Sequence, residues 1–228
     1  MTVGGYVAIC AVFIGVGLLV THQLSALTRW DDNVVRSFAD NRTSSLNRWT
    51  DYATRVADTF GILIVLVVAV IVLLLFRRRW DALFIGLALC LELATFLTVN
   101  AVVGRPRPSG PRLGSLPSTS SFPSGHTAAM VALYGGLALL ISARLRSRIV
   151  GFAAWLFAIV AAAAIGLARV YRGMHHPSDV IAGALLGFAV LAVAFVAVRA
   201  AQRAPAERES LHAPLPLQTR DPKVAASL

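Results

Sequence analysis

Two short polar stretches near the middle of the chain contain the residue types that phosphoryl chemistry requires. They are Ser121-Phe-Pro-Ser-Gly-His126 and Arg169-Val-Tyr-Arg-Gly-Met-His175-His-Pro-Ser-Asp179. Each lies where an apolar run begins or ends, and each contains a histidine. An imidazole can attack phosphorus or donate a proton, while arginine and free backbone N–H groups can hold phosphoryl oxygens. The two stretches therefore predict a phosphate site at the edge of an apolar layer.

The spacing of His175 and Asp179 suits a nucleophilic histidine with a carboxylate partner. Such a histidine must be unprotonated at one nitrogen, and a carboxylate bonded to the other nitrogen fixes that tautomer. Asp179 is within reach four residues on, and Pro177 favours the first turn of a helix there. Taken alone, the pair fits equally well an interfacial histidine followed by an acidic helix start.

Ser124 and Gly125 indicate the start of another helix. Serine is a common N-cap, and glycine lets an anion approach the free N–H groups of the first turn. His126 would lie beside that anion and could protonate a leaving oxygen. The simpler interpretation is a capped helix with an incidental histidine.

Arginines on the same loops are candidates for holding the phosphate. Arg107 and Arg169 carry planar guanidinium groups that bind phosphoryl oxygens in pairs. Arg105, Arg112 and Arg172 lie close by in the sequence. One such arginine alone would more often contact headgroups. Several of them, with two histidines and an aspartate, make independent coincidence a poor explanation.

Long apolar runs predict that these loops belong to a membrane protein. The 228 residues are 57% hydrophobic and only 14% charged, whereas about 25% is usual for soluble domains. Six spans are expected, at residues 3–21, 59–76, 82–101, 125–142, 149–167 and 180–198. No basic region precedes the first, which favours a spanning helix over a cleaved signal peptide. The predicted fold is all-α and polytopic, with six transmembrane helices.

The spans divide the chain into a membrane domain, residues 1–199, and a tail, residues 200–228, for which disorder is predicted. An even number of spans places both termini on one side, and the arginine-dense turns at 77–79 and 144–148 favour the cytoplasm. The motif loops then face outwards. Residues 23–58 predict two amphipathic helices in the external interface, as a vestibule for a lipid or as a connector that only packs.

The formal net charge of +10 indicates negatively charged partners. The chain has no soluble basic domain and no interleaving of basic and aromatic residues, so nucleic acid is not expected as a partner. The membrane surface and anionic lipid headgroups are expected instead. The sequence leaves the oligomeric state open.

Two of the segments resemble signature motifs of the type 2 phosphatidic acid phosphatase (PAP2) superfamily of lipid phosphatases. The family motif Pro-Ser-Gly-His is complete at residues 123–126. The motif Ser-Arg-x5-His-x3-Asp is matched by Arg169, His175 and Asp179, with Ala168 in place of the leading serine.

A third segment matches the remaining family motif, Lys-x6-Arg-Pro, in part. It ends at Arg107, but Asn100 stands in the lysine position. Asparagine can form hydrogen bonds but brings no positive charge, which Arg172 or Arg105 would have to replace. The matched region is 100–179, and the six-span layout extends the resemblance over most of the chain.

The resemblance implies a role for each matched residue. His175 would be the nucleophile that forms a phosphohistidine, Asp179 would orient it, and His126 would protonate the leaving group. The phosphoryl oxygens would be bound by Arg107, Arg169, Ser124 and Gly125, with Asn100 and Arg172 as further candidates. The family needs no metal or other cofactor, and the sequence shows no metal-binding cluster.

The expected activity is hydrolysis of a lipid phosphate or diphosphate at the external face of the plasma membrane. An external site suggests recycling of an isoprenoid carrier, so undecaprenyl or another polyprenyl diphosphate is the first substrate expected. Phosphatidic acid and phosphatidylglycerol phosphate are alternatives. A catalytically decayed lipid-binding protein is the alternative of another class, although His126, His175 and Asp179 are intact. A small transporter would be expected to show internal repeats, and none is visible.

Two features inside the spans carry predictions of their own. Glu92 lies deep in the third span, where a structural role, either protonated or hydrogen-bonded between helices, is expected before a functional one. The pair Gly183-x3-Gly187 predicts close helix packing, within one chain or between chains.

Overall fold

The structure is a computed structural model that describes residues 2–115 and 117–212. Across these residues every regular element is helical. The helices are α1 (Thr2–His22), α2 (Ser25–Asp40), α3 (Ser44–Val56), α4 (Thr59–Leu75), α5 (Arg79–Val103), α6 (Gly125–Arg144), α7 (Arg148–Tyr171) and α8 (Pro177–His212). Within α6, Val131–Gly135 forms a π-helical turn.

Five of these helices, α1, α5, α6, α7 and α8, are long and apolar enough to cross a membrane on their own. The remaining predicted span corresponds to α4, which has 17 residues. It counts as a sixth span when taken together with α3, from which it is bent by 48°. The prediction of an all-α, polytopic membrane protein is confirmed.

Polar side chains set where several helices begin. Thr43 accepts a hydrogen bond from the Leu46 N–H at the start of α3, and Asp58 accepts one from Thr59 at the start of α4. α5 ends at Gly104, whose φ of 61° lies in the left-handed region that glycine adopts without strain. The loop that follows carries the first and second motifs.

The last helix is longer than predicted. α8 continues to His212, beyond residue 198, where the sixth predicted span ends, whereas the separate tail at residues 200–228 stays a prediction. Residues 213–228, the rest of the predicted tail, lie outside the described residues.

Two glycines bring α6 and α8 into close contact. A Cβ added at Gly183 would lie 2.3 Å from the carbonyl oxygen of Ser124, and one at Gly187 would lie 2.8 Å from that of Ala128. The predicted glycine packing is therefore found within the chain. It holds the starts of α6 and α8 together, and both starts carry motif residues.

Glu92 is buried in α5, as its place in the third span predicts. Its Oε1 has no hydrogen-bond partner among the described residues, and the same holds for Thr95 Oγ1. The interhelical hydrogen bond expected for this carboxyl oxygen is therefore not formed.

Candidate active site

Three segments meet at one end of the helix bundle: the α5–α6 loop, the first turn of α6 and the α7–α8 connection. The backbone N–H of Ser124 donates to the carbonyl of Asp179 over 2.9 Å, and that of Ser121 donates to Arg105. Arg107 reaches across from the loop and donates to the carbonyl of Met174 over 2.6 Å. Segments far apart in the sequence are thus joined around His175.

His175 is buried and held in one tautomer. Its Nδ1 lies 2.8 Å from the carbonyl oxygen of Ser121. Because a carbonyl only accepts, Nδ1 must be the protonated nitrogen and Nε2 carries the lone pair. Burial, reinforced by the charge of Arg169, lowers the pKa of His175 well below its ordinary value. The free nitrogen is therefore available to attack at neutral pH.

Asp179 acts on His175 through Ser121. Its Oδ2 lies 3.9 Å from the His175 Nδ1, too far for the direct hydrogen bond that the spacing predicts. That oxygen instead accepts from the hydroxyl of Ser121 over 2.5 Å and from the backbone N–H of His176 over 2.8 Å. These donors, together with Arg105 Nη1 on the other oxygen, occupy the carboxylate, and the Ser121 carbonyl instead accepts from the His175 Nδ1.

Arg105 is a site residue whose role was not foreseen. It was expected as a spare phosphate ligand, but it is 2% exposed and its Nη1 donates to Asp179 over 2.5 Å. Its Nη2 pairs with Asp31 over 2.8 Å, and Asp31 also accepts from the backbone N–H of Ser178 over 3.0 Å. A buried ion-pair network thus connects the amphipathic helix α2 to the start of α8.

Asp32, the next residue of α2, makes a second contact with the segment that leads into α8. Asp32 Oδ1 lies 3.4 Å from the Nε2 of His176, whose Nδ1 is 3.0 Å from Asp179. The sequence does contain a signal for α2: Asp31 shares a helical face with Val35, and both are almost fully buried. An acidic residue on the apolar face of an amphipathic helix indicates a buried cation opposite it.

Arg107 and Arg169 lie where a phosphate could meet His175. Arg107 Nη1 is 3.3 Å from the His175 Nε2, and the rest of its guanidinium donates to Thr119 and Ser120. Arg169 is 5% exposed, and its Nε has no hydrogen-bond partner among the described residues. Because an unpaired buried donor is costly, a bound phosphoryl oxygen would stabilise it.

Ser124 and Gly125 occupy the positions predicted for a helix start. Ser124 is the N-cap residue of α6, but its hydroxyl lies 3.1 Å from Thr127 Oγ1 rather than on a backbone N–H. A Cβ at Gly125 would lie 2.9 Å from the ring of Phe96, so only glycine fits. The next residue, His126, is 24% exposed and its Nε2 lies 3.9 Å from Asp58 Oδ1.

Asn100 and Arg172 are committed to protein partners. The Asn100 Nδ2 donates to the carbonyls of Ser120 and Phe122 over 3.0 and 3.2 Å, and its Oδ1 accepts from the Ser120 N–H over 2.9 Å. Arg172 pairs with Asp51 of α3 over 3.0 Å. Asn100 thus clamps the loop that holds His175, and a phosphate contact from either side chain stays a prediction.

The model of the PAP2 superfamily matches residues 81–203, which is more than half of the chain. The chain belongs to this superfamily. The three motif segments, α6, α7 and all but the first two residues of α5 lie within the match, whereas α1 to α4 precede it.

Some relatives of this PAP2 chain are named for polyprenyl-linked substrates, whereas a lipid A 1-phosphatase of Rhizobium etli, 42% identical over 67 residues, is named for lipid A. An undecaprenyl-diphosphatase of Sulfolobus acidocaldarius is 38% identical over 71 residues, 31% of this chain and 30% of its own length. A decaprenylphosphoryl-5-phosphoribose phosphatase of Mycobacterium tuberculosis is 31% identical over 120 residues, 51% of this chain and 61% of its own. The chain spans between 23% and 61% of the curated relatives it matches.

A solved PAP2 structure has the same fold. The transmembrane PAP2 type phosphatidylglycerolphosphate phosphatase from Bacillus subtilis superposes with a TM-score of 0.72 at 23% identity. The match covers 87% of this chain and 96% of the other.

Across the residues that the structure describes, no group of three or more His, Cys, Asp or Glu side chains could hold a metal ion.

Proposed function

We propose that this PAP2 protein is a lipid phosphatase that hydrolyses a polyprenyl diphosphate through a phosphohistidine on His175. The observation that carries the proposal is the environment of the His175 Nε2. This nitrogen is unprotonated because Nδ1 donates to Ser121, and the cationic Arg107 lies 3.3 Å away. A nucleophile and a phosphate-binding cation are thus paired in a buried site.

The neighbouring residues can carry a two-step transfer. The His175 Nε2 forms a bond to the terminal phosphorus while the bond between that phosphorus and the leaving oxygen breaks, and His126 gives its proton to that oxygen. Water then attacks phosphorus, His126 takes up the proton, the N–P bond breaks and phosphate leaves. Arg107 and Arg169 would stabilise the negative charge on the phosphoryl oxygens in both steps.

The surroundings of the site suit a lipid. The interfacial helices α2 and α3 expose Trp30, Trp49 and Tyr52, residue types that lie at headgroup level in membrane proteins. The site lies at one end of apolar helices, where a phosphate headgroup would sit above its chain. The relative named undecaprenyl-diphosphatase supports a polyprenyl diphosphate as that lipid, and the one named decaprenylphosphoryl-5-phosphoribose phosphatase supports a polyprenyl chain.

We place the site on the external face of the plasma membrane and both termini in the cytoplasm. The support is the sequence: the turns at 77–79 and 144–148 lie at the opposite end of the spans from the motif loops and are dense in arginine.

One alternative substrate and one alternative function each have a supporting observation. Phosphatidylglycerol phosphate is a candidate substrate because of the fold shared with the Bacillus subtilis protein. A catalytically decayed lipid-binding protein is favoured by one observation, Asn100 in the lysine position of the first motif.

The deciding experiment is phosphate release by the purified full-length protein in detergent with EDTA present. Undecaprenyl diphosphate, phosphatidic acid and phosphatidylglycerol phosphate are compared, with His175→Ala as the control. Release that is fastest with undecaprenyl diphosphate and absent in the variant is expected. Faster release from either phospholipid would reassign the substrate, and no release from any of the three would leave the decayed lipid-binding protein.

A further inference from the structure

The imidazole of His126 is surrounded by charges of both signs. Arg169 and Arg107 are the positive groups that face it, and Asp58 is the negative one. The two guanidinium groups needed for phosphate disfavour a protonated imidazole beside them. The Asp58 carboxylate favours it, with Oδ1 3.9 Å from the His126 Nε2. Proton donation by His126 therefore depends on a balance in which Asp58 supplies the opposing charge.

The backbone fixes where this carboxylate lies. Asp58 is the N-cap of α4, and its Oδ1 accepts from the Thr59 N–H over 2.8 Å. The preceding residue, Ala57, is 2% exposed and is buried in the core. Although the Asp58 side chain is 56% exposed, its position is set by a buried turn and a capping bond.

The bend between α3 and α4 allows this placement. The two helices meet at 48°. A Cβ added at Gly61 would lie 2.0 Å from the carbonyl oxygen of Val56, closer than any side chain could be accommodated. Only glycine at this position lets α4 begin so close to the end of α3. The turn that presents Asp58 to His126 therefore depends on Gly61.

We propose that Asp58 is a positioning residue for His126, whose carboxylate offsets part of the burial and of the positive charge of the two arginines, and so favours the protonated imidazole that donates to the leaving oxygen. The inference rests on the proposed function, since it concerns the proton that His126 transfers while the phosphorus–oxygen bond breaks. In the second step, the same carboxylate stabilises His126 when it takes the proton from the attacking water.

This role lies outside the segment that defines the family in this chain. Asp58 precedes residues 81–203, the range of the PAP2 match. Residues 23–58 were expected to form a vestibule or a connector in the membrane interface. Under this proposal the last residue of the segment contributes to the chemistry, because the carboxylate of Asp58 faces the imidazole of His126.

The test uses Asp58→Asn, which removes the charge and keeps the cap. Asparagine and aspartate are about equally good N-caps, so the start of α4 and the melting temperature should be preserved. Asp40→Asn is the matched control: it makes the same change at an exposed aspartate of the same segment. Asp58→Ser, which also caps but has no charge, is the second variant.

Two substrates with the same phosphoryl group separate proton donation from phosphate binding. Decyl phosphate has a poor leaving group that needs a proton, whereas 4-nitrophenyl phosphate has a good one that does not. For Asp58→Asn and Asp58→Ser we expect kcat on decyl phosphate to fall about three- to fivefold, with KM unchanged, because an exposed carboxylate contributes up to about 1 kcal/mol. On 4-nitrophenyl phosphate the change should be under twofold.

The pH profile gives a second readout. Without the carboxylate, His126 loses its proton at lower pH, so the deficit on decyl phosphate should widen as pH rises and narrow as it falls. In a His126→Ala background, Asp58→Asn should cause no further loss. If the Asp58 variants lose equal activity on both substrates, or keep the wild-type kcat on decyl phosphate, the role of Asp58 is overturned but the proposed function is not. A wild-type protein that releases phosphate from no lipid would overturn the proposed function with it.

Discussion

The carboxylate of Asp179 and the imidazole of His175 are joined through Ser121 rather than bonded to each other. The Ser121 hydroxyl donates to Asp179 over 2.5 Å, while the carbonyl of the same residue accepts from the His175 Nδ1 over 2.8 Å. The carboxylate thus fixes a serine, and the backbone of that serine fixes the tautomer of the histidine. Orientation of His175 depends on the loop before α6 as much as on Asp179.

Ser121→Ala tests this connection. The variant keeps the carbonyl that holds His175 but loses the hydroxyl that anchors it to Asp179. Because a hydrogen bond to a charged group contributes about 1.5–3 kcal/mol, we expect kcat for phosphate release to fall at least tenfold with little change in KM. Ser109→Ala, at an exposed serine of the same loop, should retain wild-type kinetics. Equal kcat in the two variants would contradict the connection.

The lowered pKa of His175 predicts a dependence of stability on pH. The unfolded chain binds a proton at this histidine below about pH 6.5, whereas the folded protein does not until a lower pH, because burial disfavours the imidazolium. Between those values the unfolded state holds more protons, so stability falls as pH decreases, by up to about 1.4 kcal/mol per unit. Above pH 6.5 this contribution is constant.

The measurement is thermal unfolding in detergent between pH 5 and 7.5, for the wild type and His175→Gln. The wild-type melting temperature should fall more steeply on acidification than that of the variant, which lacks the group. Parallel curves would show that His175 titrates normally in the folded protein.

Asn100→Asp tests the clamp on the α5–α6 loop. The change keeps the shape and the acceptor for the Ser120 N–H, but replaces the donor to two carbonyls with a carboxylate oxygen that repels them. We expect a loss of roughly 2 kcal/mol in stability and a lower kcat, because the same loop holds His175. Asn100→Lys can still donate to the carbonyls, and its melting temperature should exceed that of Asn100→Asp. The reverse order would exclude the clamp.

The sequence predicted local features well because they depend on neighbouring residues. The helix start at Ser124 and Gly125 is predicted by the residue types that precede helices, although the Ser124 hydroxyl contacts Thr127 and caps no backbone N–H. The order of the spans follows from apolar runs that are long enough to cross a bilayer. The motif segments contain the residues that surround His175, among them Arg107 and Ser121.

Contacts between side chains that are far apart in the sequence could not be predicted from local patterns. Arg105 and Asp31 are 74 positions apart, and their contact depends on where α2 docks, which side-chain spacing does not encode. The same limit applied to Asp179. Its spacing from His175 predicted that the two side chains could contact each other, but only the structure shows that Ser121 and His176 donate to this carboxylate instead. For Arg172 the partner is Asp51 of α3, again a contact between distant helices.

Gly183→Ala tests whether the packing of α6 on α8 sets the site. The added methyl would lie 2.3 Å from the Ser124 carbonyl, so α8 must move away from the start of α6. The Ser124 N–H donates to the Asp179 carbonyl across this contact, and the shift should lower kcat and the melting temperature together. Gly86→Ala is the control, since nothing lies within 4 Å of its Cβ position. There the change should stabilise helix α5 by up to about 1 kcal/mol and leave kcat unaltered, whereas similar behaviour of the two variants would show that the site tolerates a wider separation.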